Sequence, residues 1–441
     1  MYLADRSAPS GANTAPGRKR GPVPAVTSVV FALGAVSLIT DISSEMVTAV
    51  LPLYLVVGLG LSPLGFGTLD GVYNGVSALV QLAGGHLADR VRNHKLIAGI
   101  GYGLSAVCKP LLLLAHSLGP LGAVLALERT GKGLRTAPRD ALISLSTAPE
   151  YQGLAFGVHR AMDTTGAVLG PVAAFLILRA ATDGYDAVFG VSACVAAVGV
   201  LVLVLFVPGK PRGARAVPAA GREDEAEAGT GNTAVAAVAV EEKRPVDVRE
   251  ALRLLRLPRL RALAGCAALL GLTTVSDAFV YLLLQRRSGF GEQWFPLLPL
   301  GTAAVFLLLA VPVGFLADRV GRRGVFLTGH ALLLMGYALL LWAPDTTALP
   351  FLVLALHGMF YAATDGVLPA VVADIVPEQL RASGLALVGT GQALARFCCS
   401  LAFGAAWTLW GDGPALAGSA VGLLCCAAVA GVVLRPAGGR R

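Results

Sequence analysis

The sequence predicts an all-α polytopic membrane protein of twelve transmembrane helices in two pseudo-symmetric six-helix bundles. Three observations lead there. Of 441 residues, 55% are hydrophobic and only 14% charged, against about 25% charged in ordinary soluble domains. The apolar runs reach the ~18–20 residues that a helix needs to cross a hydrocarbon core. Short motifs of the first half also return in the second half at a fixed offset.

Residues 1–24, rich in Ser, Ala, Gly and Pro, predict a disordered N-terminal segment. Apolar runs follow at roughly 27–57, 64–88, 96–117, 119–138, 154–179 and 186–207, giving an N-terminal domain over 25–207. Residues 208–259 form a low-complexity polar linker. Its end, "VREALRLLRLPRLRAL", reads either as a basic amphipathic helix on the membrane surface or as an extension of the seventh span. Runs at roughly 261–284, 294–317, 325–343, 348–374, 384–410 and 414–434 build a C-terminal domain over 260–434, and 435–441 is a tail.

The net charge of +8 is topological and does not mark a nucleic-acid binder. About 27 of the 35 Lys and Arg fall on one side of the implied membrane, which places both termini in the cytoplasm of an inner-membrane protein. All seven Cys lie in predicted spans, are odd in number and lack metal-ligand spacing with a His. They read as apolar fillers, so neither metal nor cofactor is expected. "TGKG" lacks the earlier glycine of a phosphate-binding loop, and no hydrolase or zinc-protease signature is present. No enzyme chemistry is expected.

"GGHLADRVRNHK" (84–95) after the second run matches "VGFLADRVGRRG" (313–324) after the eighth. "LALERTGKG" likewise matches "LALHGMFYA", again about 229 residues on, as expected of a duplicated transporter-like architecture with its site between the repeats. The later copy, with Gly314, Asp318, Arg319, Gly321, Arg322 and Arg323, resembles the loop motif Gly-x-x-x-Asp-Arg-x-Gly-Arg-Arg of the major facilitator superfamily. The earlier copy keeps Gly85, Asp89 and Arg90 but has Arg92 and Asn93 at the next motif positions. Arg129 and Gly133 fit the family's Arg-x-x-x-Gly pattern in the fourth span. In the fifth, Gly166, Gly170 and Pro171 resemble the Gly-x-x-x-Gly-Pro motif of exchangers that export. The resemblance covers about residues 25–434 and is closest to drug/proton antiporters. It implies a monomeric secondary transporter for a small molecule, driven by protons, in which the loop copies act as gates.

Ionisable residues at membrane depth cost roughly 2.5 to over 10 kcal/mol each and so face a bundle interior or a wet cavity. The first run carries Asp41 and Glu45 one helical turn apart. Asp70 and Asn74 follow in the second span, Lys109 in the third, Glu128, Arg129 and Lys132 in the fourth, and Arg160 and Asp163 in the fifth. The C-terminal half offers mainly Asp277, Asp365 and Arg396, with His330 and His357. The inequality predicts ion coupling in the N-terminal half, centred on Asp41 and Glu45, and an apolar wall in the C-terminal half. Asp41 and Glu45 either exchange protons or pair with Lys109 or Arg129. Arg135 and Arg139 read as solvated anchors, and Glu128 with Lys132 as an i,i+4 pair. His159 with Asp163 is a two-ligand metal pattern lacking a third ligand. The alternative to proton-coupled export is proton-coupled import of a small polar or anionic metabolite, with Lys109, Arg129 and Lys132 holding the anion. A membrane sensor or enzyme is a third reading, which the duplicated loops disfavour.

Overall fold

In hydrocarbon every backbone N–H and C=O must be satisfied within the chain, and uninterrupted apolar runs do this as helices. The computed structural model describes residues 26–90, 93–148, 151–208, 254–365, 367–377 and 380–434. The segment 1–24, nearly all of the 208–259 linker, the first six residues of the candidate amphipathic helix (248–253) and the tail 435–441 lie outside these. Among the described residues the regular structure is helical throughout. The first half holds α1 (Ser28–Leu53, ending in a π-helical turn at Tyr54–Gly58), α2 (Pro63–Arg90), α3 (His94–Leu112), α4 (Leu118–Leu145), α5 (Gln152–Ala180) and α6 (Gly184–Phe206). The second holds α7 (Pro258–Gly271), α8 (Asp277–Ser288), α9 (Leu297–Val320), α10 (Arg322–Trp342), α11 (Leu349–Thr364), α12 (Val367–Ile375), α13 (Arg381–Trp410) and α14 (Asp412–Val433).

Nine of the described helical stretches are long and apolar enough to cross a membrane. Helices α2 and α4 and the divided rod α7–α8 add three more, consistent with twelve crossings. Helix α4 is too polar for the hydropathy criterion because it carries Glu128, Arg129, Lys132, Arg135, Arg139 and Asp140.

The seventh run, expected as one helix over 261–284, is divided at 272–276. Thr273 and Thr274 donate their hydroxyls back to the Leu270 carbonyl at 3.1 and 2.8 Å, competing with the continuing helix. Ser276 is extended (φ −59°, ψ 143°), and Asp277 opens the next helix. The Val275 N–H released by the break donates to Tyr337 Oη at 2.8 Å.

Within the first half, α1 packs on α5 and α6, α3 on α4 and α6, and α2 on α4. In the second, α11 packs on α9 and α10, α14 on α10, and α13 on α7 and α14. The halves join through α2 and α13. There a Cβ on Gly67 would lie 2.3 Å from the Ser400 carbonyl, and one on Gly404 2.5 Å from that of Pro63, so only glycine permits the approach. This seam lies at the face opposite the start of α1 and the end of α14. At the same face Tyr185 Oη donates to Glu292 Oε2 at 2.6 Å and Phe175 meets Trp294 with ring centroids 4.9 Å apart.

Gly321 turns the chain from α9 into α10 at φ 112°, ψ 124°, a combination open essentially to glycine. Gly321→Ala is expected to lower stability by about 1–3 kcal/mol, read as a lower melting temperature of the detergent-solubilised protein. The loop's ion pairing differs from the expected Asp318/Arg319 gate. Arg322 bridges Asp318 at 3.0 Å, the Ala370 carbonyl at 3.1 Å and Asp374, whereas Arg319 is exposed. Arg323 donates to the Gly431 carbonyl. Arg322 follows the turn and so reaches both α9 and α12. All these contacts stay within one half. The side chains of Gly85, Asp89 and Arg90 lie outside the described residues.

Candidate functional site

A cavity of about 420 Å³ lies between the halves. Its N-terminal-half wall is largely apolar, with Leu51, Pro52 and Leu55 of α1, Phe66 and Leu69 of α2, and Leu125 of α4. Thr48 of α1 and Asp70, Tyr73 and Asn74 of α2 are the polar exceptions. The other wall holds Thr274, Ser276, Asp277 and Tyr281 around the break in the seventh rod, Phe306 of α9, Tyr361 of α11, Asp365, and Arg396 and Ser400 of α13.

Asp70 Oδ2 accepts from Ser400 Oγ at 2.6 Å, so one carboxylate ties the halves together. Its Oδ1 accepts from Asn74 Nδ2 at 3.3 Å. Asp277, in the first turn of α8 where the helix dipole favours negative charge, accepts at Oδ1 from Tyr361 Oη at 2.6 Å. The same oxygen lies 2.9 Å from His357 Nε2. Asp365 and Arg396 also line a smaller cavity of about 70 Å³, with Gln392 and His330. Toward the seam the main cavity is capped by aromatic rings. Phe66 meets Phe279 edge-on at 4.8 Å, and Phe279 lies 4.8 Å from Phe403 and 5.7 Å from Trp407.

A second constellation lies inside the first half. Asp41 pairs with Arg135 at 3.2 Å and Glu45 with Lys132 at 3.5 Å. Glu128 holds Lys109 at 3.2 Å and Arg129 at 2.9 Å. Arg129 also donates to Tyr73 Oη and stacks 3.6 Å over its ring. Arg139 pairs with Asp140 at 3.1 Å and Asp163 at 3.6 Å. Ser37 Oγ meets Tyr102, His159 and Arg139 at 3.3, 3.0 and 3.3 Å. The five acids Asp41, Glu45, Glu128, Asp140 and Asp163 equal in number the five bases Lys109, Arg129, Lys132, Arg135 and Arg139, and none of the ten lines the central cavity.

These placements correct several expectations. Asp41 and Glu45 pair with Arg135 and Lys132, not with Lys109 or Arg129. Helices α1 and α4 run antiparallel, so a step up one matches a step down the other, and Glu128 is left to Lys109 of α3. The same offset removes the expected Glu128–Lys132 pair. Arg135 and Arg139, read as solvated anchors, are 3% and 7% exposed. Arg160 is exposed, one position off the face of α5 that carries His159 and Asp163. Those two are held by Ser37 and Arg139, and no metal-ligand group exists among the described residues. The apolar wall expected from the second half is shared: both halves contribute apolar lining to the cavity, Leu51, Leu55, Phe66 and Leu69 from the first and Val275, Phe295, Pro299 and Phe306 from the second. Gly166, Gly170 and Pro171 are buried against α1, where a Cβ on Gly166 would lie 2.5 Å from the Leu38 carbonyl.

Asp70, Asn74, Asp277 and Asp365 are the expected site residues that reach the central cavity. Sequence reasoning missed Tyr73, Tyr361 and Ser400. Tyr361 was findable: it stands four residues after His357 and four before Asp365, on one helix face.

A family model described as Major Facilitator Superfamily matches residues 33–397 and, in a second match, 297–440. An uncharacterized MFS-type transporter of Methanocaldococcus jannaschii is 29% identical over 408 residues, 90% of this chain and 92% of that protein. The nucleoside transporter NupG superposes with a TM-score of 0.74 at 12% identity, covering 93% of this chain and 100% of that one. A bacterial homologue of the human lysosomal transporter Spinster, inward-facing and unoccupied, gives 0.70 at 17% identity over 94% and 98%.

Proposed function

Because the chain belongs to the Major Facilitator Superfamily and is a membrane transporter, we propose that it exports a small molecule in exchange for protons, by alternating access. The observation that carries this reading is the interface cavity, whose carboxylates come from both halves: Asp70 from one, Asp277 and Asp365 from the other. Burial favours the neutral form of a carboxylate and a neighbouring cation the charged form, so arrival of substrate can displace protons from such groups. Asp70 also clasps Ser400 across the seam, which couples its occupancy to the contact that must part for the opposite face to open. The close-packed Gly166–Gly170–Pro171 seam supports export through its resemblance to the exporter motif. Import of an anion is disfavoured, since Lys109, Arg129 and Lys132 are engaged with Glu128 and Glu45 away from the cavity. The Lys/Arg asymmetry supports both termini lying in the cytoplasm, and the family resemblance supports a single chain in the inner membrane as the transporting unit.

The first-half network is read as a rigid brace. Proteoliposomes loaded with a labelled ligand, found by thermal-shift screening at two pH values, test the assignment. Flux is expected to run against an imposed proton gradient. Asp277→Asn should lose the gradient response by at least about tenfold, since its carboxylate is the proposed carrier, with counterflow persisting only at a higher ligand concentration. Asp41→Asn should instead lower the melting temperature by leaving Arg135 buried without its partner. Flux in the direction of the protons sinks export, and flux indifferent to the gradient sinks coupling.

A further inference from the structure

Within that transport reading, we propose that the cavity binds a small zwitterion: one ammonium and one carboxylate on a compact, partly apolar body. The inference starts from which cavity charges are already answered. Both oxygens of Asp70 are engaged, by Asn74 and Ser400. Asp277 has Oδ1 taken by Tyr361 and His357, while its Oδ2 has no partner among the described residues. Asp365 and Arg396 face the main cavity and the smaller one beside it. Neither forms a hydrogen bond or ion pair among the described residues, and they do not approach each other within the 4.0 Å of an ion pair. One wall thus presents two opposite charges, each open to a ligand.

A guanidinium carries five donors in a planar fork and is costly to withdraw from water without acceptors. A simple anion would answer Arg396 but would stand among three carboxylates. A simple cation would suit Asp365 and leave the guanidinium without a partner. A zwitterion meets both conditions: its carboxylate takes the fork of Arg396 in two parallel hydrogen bonds, and its ammonium reaches Asp365 and the open oxygen of Asp277. Binding then adds no net charge to a site inside the membrane, where each unpaired charge is expensive. The opposite wall, with Leu55, Phe66 and Leu69, receives the apolar body. The 420 Å³ volume suits a molecule of amino-acid or dipeptide size and lies in the usual range for ligand cavities.

The test uses the purified full chain in detergent, without a gradient, and reads thermal stabilisation and titrated affinity. Probes are the standard amino acids and dipeptide pools. For each zwitterion that binds, its amide (ammonium only) and its des-amino acid (carboxylate only) are added. Tetraphenylphosphonium and 3-phenylpropionate serve as simple cation and anion. At least one zwitterion should stabilise the protein, with each half-charged analogue about 30-fold weaker, as expected when a charged hydrogen-bonding partner is lost. In Arg396→Gln the zwitterion and its amide should bind alike, and in Asp365→Asn the zwitterion and its des-amino acid should converge. Arg396→Lys keeps the charge without the fork and should fall between, which guards against misreading a folding defect in the Gln variant. The proposal is overturned if the amide binds wild type as tightly as the zwitterion. It is equally overturned if only the simple cation or anion stabilises, or if no probe does. Zwitterion binding with gradient-indifferent flux would strike proton coupling alone; gradient-driven flux of a simple cation would strike the zwitterion alone.

Discussion

Glu128→Ala is expected to be among the most damaging single substitutions in the chain, lowering stability by about 3–5 kcal/mol. Glu128 is 3% exposed and is the shared anion for Lys109 and Arg129, themselves 2% and 7% exposed. Removing it leaves two cations facing each other where water cannot reach them. The informative companion is the triple variant Lys109→Met, Glu128→Leu, Arg129→Met, which removes the charges together. Apolar replacement of a complete buried ionic group is often neutral or stabilising, whereas removal of one partner is not. The triple variant should therefore recover most of the loss in melting temperature, and if the network is a brace it should also transport. A stable triple variant without transport would show that the network takes part in the cycle.

Gly170→Val is expected to be the next most damaging change, by a different route. A Cβ at Gly170 would lie 2.7 Å from the Glu45 Cβ and 2.9 Å from the Ile42 carbonyl. The obstacle is backbone, and a backbone cannot rotate out of the way. Overpacking of this kind costs about 1–3 kcal/mol, occasionally more, and here it also moves Glu45 relative to Lys132. Folded yield and melting temperature should fall steeply for Val and less for Ala. A Val variant that melts with the wild type would mean that α1 and α5 do not hold this spacing.

The course of the helices was legible in the sequence because hydropathy over a membrane-length window is a local property. The break at 272–276 was not, since Thr273, Thr274 and Val275 do little to lower the average and the signal is hydroxyl competition for one carbonyl. The acids and bases of the first half were visible, but their partners depend on the antiparallel offset of α1 and α4, which no local pattern encodes. Counting charges then placed the coupling chemistry in the half that has more of them. In the structure the charges of that half pair with one another, whereas Asp365 and Arg396 line the central cavity without an ion pair among the described residues.

Helix α8 is only twelve residues long, yet it holds Asp277 at the cavity and, two residues on, Phe279 at the centre of the aromatic cap. The break at 272–276 separates this segment from α7, which packs on α13. Asp277 and Phe279 therefore share one short rod, and under the proposed exchange a shift of the carboxylate on loading would carry the ring of the cap with it.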